Sequence, residues 1–444
     1  MKNHCILMAA AILLLCADAQ AQINNVFDRA VRAGERRVNN KIDQAIDKTY
    51  DKAEENARRK KADSNDSQKE KGNKKVESDE GNDNSEGNND APTNAALLKS
   101  YGKFDFVPGE RVIVVEDFAQ DAVGDFPDKW NSTGSGAIMT INGRPGHWLM
   151  LNKMGEYLPE FINSLPDNFT LQFDLASNET FSFYSSYLWI NLVQMANPGK
   201  DFAKWGRFPT PTEGVRVGLH PRNAGNGTGV GITQFATYAK GEEVLKNETD
   251  QRAFAGTNNV VKVSMWRQKQ RLRVYVDETK IWDIPRAFQP GIAYNGLVLS
   301  MGDMHKDDDR YYVSDFRLAV GAPDTRNKLL TEGKFVTRGI LFNVNSDKIK
   351  LESFGVLKEI AQVLQENPAV KVRIIGHTDS DGDAAKNTDL SKRRAASVKN
   401  AITGEFGIDG SRMETDGKGA TQPSNPNTTA EGKANNRRVE FIKL

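Results

Sequence analysis

An aspartate and an arginine stand fifteen positions apart in the run Gly376-His377-Thr378-Asp379, Asn387, Leu390-Ser391 and Arg394-Ala395. A carboxylate accepts hydrogen bonds from an ammonium group, and a guanidinium grips a carboxylate through two parallel bonds. Together Asp379 and Arg394 suit a zwitterion, the free amino-acid end of a larger ligand. Neither has to ionise or attack, so this is recognition chemistry rather than catalysis. The competing reading is an internal ion pair that orders the loop. An exposed pair contributes only ~0 to 1 kcal/mol, which gives stability little reason for the arrangement.

The neighbouring residues describe what holds this pair. Residues 371–375 (Lys-Val-Arg-Ile-Ile) read as a buried strand, which places Thr378 and Asp379 where the chain leaves its C-terminal end, a usual position for ligand groups in α/β layers. Leu390, Arg394, Ala395, Val398 and Ile402 recur at three- and four-residue spacing and predict an amphipathic helix, capped near Asn387 or Thr388. Ala395, Val398 and Ile402 would face the sheet, with Arg394 at the edge of the stripe, so that Asp379 and Arg394 flank one small pocket. His377 reads as structural, since no second histidine stands at metal-ligand spacing.

This pattern resembles the OmpA-like peptidoglycan-binding domain over residues 337–444. The resemblance rests on Ile340-Leu341-Phe342-Asn343-Val344-Asn345, a helix over 350–365, the Thr378-Asp379 to Arg394-Ala395 core, Gly407-Ile408, Arg412, Gly417 and Gly419, and Asn436-Arg437-Arg438-Val439-Glu440. It implies an α/β domain of βαβαβ type with a mixed sheet. It also implies that Asp379 and Arg394 hold the meso-diaminopimelate of the cell-wall stem peptide, with Asn345, Thr378, Asn387 and Arg437 lining the site. The chain departs from the family in carrying Asp347 where a serine is frequent, and in the extra acids Asp381 and Asp383. One such site gives modest affinity, but murein repeats its ligand and tethering raises the effective concentration.

The rest of the chain says where such an anchor would work. Met1-Lys2 precedes an apolar run over residues 5–16, too short for a membrane span and suited to a secretory signal ending near Ala19 or Ala21. A signal peptide over 1–21 predicts export to the periplasm in association with peptidoglycan and the outer membrane. Cleavage removes both cysteines, Cys5 and Cys16, and with them any disulfide. A lipoprotein acylated at Cys16 is the rival, disfavoured by Leu13-Leu14-Leu15 where a lipobox wants small residues. Residues 22–62 form a basic helical stripe, with eleven Lys/Arg against seven Asp/Glu between Ile23 and Ala62. It reads either as an outer-membrane or oligomer contact or as a solvated helix docking on its own protein. Residues 63–94 are polar and charged and cannot bury a core, as expected of a disordered linker.

From 101 to 322 the composition changes again. Strands are predicted over 111–118, 168–175, 187–194, 214–219, 260–266, 272–284, 297–301 and 311–320, separated by Gly-, Pro- and Asn-rich turns. They suggest an all-β sandwich. Glu116-Asp117-Phe118, Gly124-Asp125-Phe126-Pro127, Trp130 and the hairpin over 266–277 resemble a concanavalin or laminin G-like jelly roll. On that hairpin Val261, Val263, Met265, Leu272, Val274 and Val276 form the buried face. Trp266 and Tyr275 lie on the other, either as a glycan platform or as packing against a further layer. Asp307-Asp308-Asp309 reads as a solvated charge run or a calcium ligand set. Residues 323–336 are expected to be a second linker.

With 444 residues and net charge +1, the chain is long enough for several domains and lacks the basic polarisation of a nucleic-acid binder. The sequence calls for no metal and no cofactor. The expected protein is therefore a multidomain, non-catalytic envelope component that joins peptidoglycan to an outer-membrane or periplasmic protein partner, with a glycan or protein ligand for the middle domain. Two alternatives compete. An envelope glycan-processing enzyme would need paired carboxylates, yet no strand carries a Glu-x-Asp-x-Glu-like spacing and no serine or cysteine nucleophile signature appears. An outer-membrane barrel over 101–322 fits the length but not the Pro- and Gly-rich run over 197–231.

Overall fold

The computed structural model describes residues 104–444, apart from 153, 207–208, 210–211, 224–226 and 322–323. The expected signal peptide (1–21), basic helix (22–62) and polar linker (63–94) lie outside the described residues.

The chain first forms β1 (Arg111–Glu116), β2 (Trp130–Ser132), β3 (Gly136–Met139), β4 (Trp148–Leu151), β5 (Gly155–Pro159), β6 (Asn168–Ser177) and β7 (Leu188–Gln194). A one-turn helix α1 (Pro198–Asp201) then leads to β8 (Glu213–His220), β9 (Gly231–Ala239), β10 (Glu242–Gln251), β11 (Val260–Gln268), β12 (Arg271–Val276), β13 (Thr279–Ile284), β14 (Gly296–Met301) and β15 (Tyr311–Val320). These strands build two antiparallel sheets. One has the order β13-β12-β11-β6-β15-β4-β3 with β1 paired to β15, and the other the order β10-β9-β8-β7-β14-β5-β2. Their inner faces share one apolar core that includes Phe173, Leu188, Ile190, Val263, Met265, Val274, Leu297 and Phe316, with Phe173 and Phe316 stacked at 5.0 Å. Both sheets are open and the space between them is filled, so the closed membrane barrel entertained as an alternative does not form.

Local sequence explains most of this layout. Alternate residues of β1 are buried, as period-two patterning requires. The continuous prediction over 272–284 is instead a hairpin, β12 and β13, turning at Asp277 with φ 47°. The strands β2 to β5, β9 and β10 were not anticipated. β10 (Glu-Glu-Val-Leu-Lys-Asn-Glu-Thr-Asp-Gln) is exposed almost throughout, so it carries no burial pattern, and its charges suit an edge strand that must not pair further. Asp309, read as one of a solvated or calcium-binding run, is fully buried. Its carboxylate accepts hydrogen bonds from the Ser182 amide at 3.0 and 3.1 Å, from Asn178 at 3.3 Å and from the Ser185 hydroxyl.

The second part contains α2 (Thr325–Leu330), β16 (Lys334–Thr337), α3 (Phe354–Glu366), β17 (Val372–His377), α4 (Ala384–Phe406), β18 (Met413–Gly419), α5 (Ala430–Asn436) and β19 (Val439–Lys443). Its sheet has the order β16-β19-β17-β18, with β17 and β18 parallel and the other pairs antiparallel. Most of the segment expected as a linker over 323–336 is therefore structured, from Thr325 onward. It supplies α2 and most of β16, which pairs with β19.

The second part covers the outer face of the eight-stranded sheet. Trp266 and Tyr275 join Phe104, Phe106, Phe335, Val356, Leu357 and Ile360 in one apolar cluster. Phe106 meets both rings edge-on at 6.1 and 5.5 Å, and the Tyr275 hydroxyl donates to Asp105 at 2.8 Å. At 7% and 0% exposure these two side chains cannot form the open glycan platform considered above. Alternation had placed them correctly outside the sandwich core, but a further layer covers them.

The free edge of β1 is closed in the same way. The Val112 amide donates to Asn435 Oδ1 at 3.1 Å and Asn435 Nδ2 donates to the Val112 carbonyl at 2.8 Å, so one side chain of α5 substitutes for a missing strand. Asn435→Ala is expected to lower stability by about 1 to 3 kcal/mol, the cost of leaving buried backbone groups unpaired. Denaturant unfolding of the full chain measures it; an unchanged midpoint would mean that this contact does not hold the two layers together.

Candidate functional site

Two glycines let the sheet and α4 approach closely enough to assemble the site. A Cβ on Gly376 would stand 2.3 Å from the Ser391 carbonyl oxygen, and one on Gly417 would stand 2.3 Å from the Lys392 amide nitrogen. The Ser391 hydroxyl completes the contact by accepting from the Gly419 amide at 2.9 Å and donating to the Thr388 carbonyl at 2.8 Å. Ser391, Ala395, Val398 and Ile402 are the buried residues of α4, which fixes Arg394 at the edge of that face. The helix begins earlier than its apolar stripe suggested. Asp383 is the cap, accepting from the Lys386 amide at 2.9 Å, and Asn387 lies within the first turn, its side chain donating to the Asp381 carbonyl at 2.8 Å.

Asp379 follows β17, as expected. Its neighbours are held between two strands, since the His377 amide donates to the Arg438 carbonyl and the Thr378 amide to the Gly419 carbonyl, both at 3.0 Å. The Thr378 hydroxyl is buried and donates to the Asp379 carbonyl at 2.8 Å, so it orders the turn and does not face a ligand. The Asp379 carboxylate accepts from the Asp381 amide at 3.1 Å and from Arg437 Nη1 at 2.5 Å. Arg394 is held elsewhere: Nε donates to the Ser346 carbonyl at 2.9 Å, Nη2 to the Asn343 carbonyl at 3.4 Å, and the guanidinium carbon lies 4.9 Å from the Phe342 ring centre. Burial pushes the Arg394 guanidinium below the ordinary arginine value; Asp379 acts in the opposite direction and Arg437 adds to the lowering.

The sequence reading had Asp379 and Arg394 flanking one pocket. In the structure Arg394 and Arg437 line a cavity of about 100 Å³ with Phe342, His377 and Arg438, and Asp379 is bound to Arg437. Asn345 and Asn387 line a neighbouring groove of about 570 Å³ with Asp381, Asp383 and Arg393. Asn345 adopts φ 51°, a left-handed conformation that asparagine tolerates, at the tip of the loop that wraps Arg394. The six expected site residues are therefore divided among a cationic cavity, a groove beside it and one buried turn.

Beneath the cavity, Glu440 is the hub of a buried network. Arg438 reaches Oε1 through Nε at 2.9 Å and Nη2 at 2.8 Å, Lys334 reaches Oε2 at 2.7 Å, and His377 Nε2 stands 3.5 Å from Oε1. Burial alone would raise the Glu440 carboxyl, but the contacts with His377, Lys334 and Arg438 outweigh it and hold the group well below the usual glutamate range. Residues missed at the sequence level include Asn427, whose side chain accepts from the Ser380 amide at 3.2 Å and from Asn436 at 2.9 Å. Among the described residues there is no group of three or more His, Cys, Asp or Glu side chains placed to hold a metal.

The segment that holds α3, α4 and the Thr378-Asp379 turn at the end of β17 matches known proteins. Residues 341–437 match the OmpA family, so the chain carries an OmpA-like domain. It is 40% identical over 127 residues to the probable lipoprotein YiaD of Escherichia coli, covering 26% of this chain and 58% of that protein. It is 39% identical over 101 residues to outer membrane porin F of Pseudomonas aeruginosa, covering 23% of this chain and 29% of that protein. The chain thus spans less than two thirds of these relatives. Among solved structures, the cell wall anchor of the T6SS from Pseudomonas aeruginosa is 32% identical, with a TM-score of 0.23, covering 25% of this chain and 80% of that one.

The Glu440 network predicts acid sensitivity with a definite sign. A depressed folded-state carboxyl contributes stability that is complete above its unfolded value of 4.5 and is lost as the pH falls below it. Glu440→Gln should cost roughly 3 kcal/mol at pH 7, because Arg438 is left buried without its partner. The difference from wild type should shrink as the pH falls below about 4.5. Urea unfolding at pH 7 and pH 3.5 tests both statements; a pH-independent difference would contradict them.

Proposed function

We propose that the OmpA-like domain binds peptidoglycan non-catalytically, by clasping the free amino-acid end of meso-diaminopimelate in the stem peptide. The supporting observation is that Arg394 and Arg437 wall one small cavity while the Asp379 carboxylate is bound to Arg437. Arg394 is fixed by two backbone carbonyls with its guanidinium held at the cavity, ready for a ligand carboxylate. The Arg437 side chain is 49% exposed, so a ligand ammonium can displace it from Asp379 into solvent and take the carboxylate's hydrogen bonds. Asn345 and Asn387 offer amides to the remainder of the peptide along the adjoining groove.

On this reading the protein is an exported envelope component that acts in the periplasm and links the wall to an outer-membrane or periplasmic partner. The two-sheet module, read as a concanavalin or laminin G-like jelly roll, contacts the wall anchor through Asn435 and the cluster around Trp266 and Tyr275. The module and its anchor therefore act together as one arm.

Pull-down of the full chain on purified sacculi is the test, with free meso-diaminopimelate as competitor. Asp379→Ala and Arg394→Ala should each reduce retention at least tenfold, since each removes a charge-assisted hydrogen bond of about 1.5 to 3 kcal/mol, while circular dichroism stays that of wild type. Undiminished retention of both folded variants would overturn the reading.

A further inference from the structure

The cavity beside Arg394 has a wall that the OmpA-like domain does not supply. Arg317 belongs to β15 of the two-sheet module, yet it lines the same cavity as Arg394, Arg437 and Arg438. Its strand packs against α5, with Ala319 and Val112 on Ala434, and the Arg317 side chain is half-buried there. Its one hydrogen bond among the described residues runs from Nη2 to the Arg338 carbonyl at a long 3.4 Å, and its Nε is buried without a partner.

Charge accounting around the cavity is unbalanced. Asp379 pairs with Arg437 and Glu440 with Arg438. Arg317 and Arg394 have no carboxylate within ion-pair distance among the described residues. Both guanidiniums are half-buried, and like charges that are partly desolvated and lack counter-charges cost folding energy that a bound anion would relieve. Burial, reinforced by Arg437 and Arg338, pushes the Arg317 guanidinium down to about 10, which still leaves it charged at neutral pH.

We propose that Arg317 is a binding residue of the peptidoglycan site, donated by the two-sheet module, and that with Arg394 it makes the site select an ionised carboxylate over a carboxamide at the diaminopimelate end. The inference rests on the peptidoglycan reading and deepens it: the site is complete only in the two-module protein, and it discriminates between free and amidated stem peptides. A carboxylate accepts from both guanidiniums, whereas the carboxamide that replaces it presents one accepting oxygen and an NH₂ group that confronts donors.

The test is calorimetric titration of the full chain with a stem tripeptide ending in meso-diaminopimelate, and with the same peptide amidated at the diaminopimelate carboxyl that adjoins its free ammonium. Wild type should favour the free acid by at least tenfold. Arg317→Met should lose about tenfold for the free acid, change little for the amide, and melt at the same temperature as wild type or higher, because a half-buried charge whose Nε has no partner has been removed. A merely structural arginine would lower the melting temperature instead. Arg317→Lys, which keeps the charge without the planar fork, should fall between the two in discrimination and stands in should the methionine variant not fold. If wild type binds, Arg394→Ala does not, and the Arg317 variants match wild type for both peptides, this inference fails and the peptidoglycan reading survives. Absence of binding by wild type overturns both.

Discussion

The close seating of α4 on β17 and β18 is the constraint on which the site depends. It needs glycine at 376 and 417, where any side chain would collide with the helix backbone. The Ser391 hydroxyl then ties the helix to the Gly419 amide. With the helix there, Arg394 extends between the Phe342 ring and the carbonyls of Asn343 and Ser346. The loop that follows Phe342 is thus built around the arginine and pre-organises it at the cavity. Flexible arginines lose entropy on binding, and one already held by backbone acceptors loses less.

Charge is distributed unevenly around that contact. Arg412 is a structural counterexample: its Nε and Nη2 donate to the carbonyls of Leu364, Asn367 and Val370, where it closes the end of α3. Arg438 is likewise satisfied by Glu440 and the Gln422 carbonyl. Arg394, Arg437 and Arg317 differ in leaving donor capacity turned toward one cavity. Their convergence draws on both modules, because docking of α5 on the β1 edge through Asn435 brings β15 beside the strand end that carries Arg437 and Arg438.

Local patterns made the OmpA-like domain legible. The strand before Thr378, the sheet-facing residues Ala395, Val398 and Ile402, and the Asp379 turn all follow from burial periodicity and turn chemistry close in sequence. The true start of α4 was hidden because its first turn, Ala384-Ala385-Lys386, carries no apolar stripe and is exposed. The pairing of Asp379 with Arg437 spans 58 positions and has no local signature. In the two-sheet module, alternation told which side of the hairpin Trp266 and Tyr275 occupy, but it could not tell that Phe104 and Phe106 cover them. β10 has no burial pattern to read, and Asp309 looked solvated because its partners lie more than a hundred positions away. Arg317 sat in a predicted strand with nothing to mark its outward side chain as part of a distant site.

The central claim is that guanidiniums converging on one cavity engage the ligand's carboxylate. Arginine side-chain Nε–H resonances of the ¹⁵N-labelled full chain, followed while a stem tripeptide ending in meso-diaminopimelate is titrated in, report on it directly. The account predicts that Arg394 and Arg437 shift together and saturate at one ligand per chain, while Arg412, whose Nε already donates to the Val370 carbonyl, stays in place. Unmoved Arg394 and Arg437 signals at ligand saturation, with the shifts falling elsewhere on the protein, would contradict it.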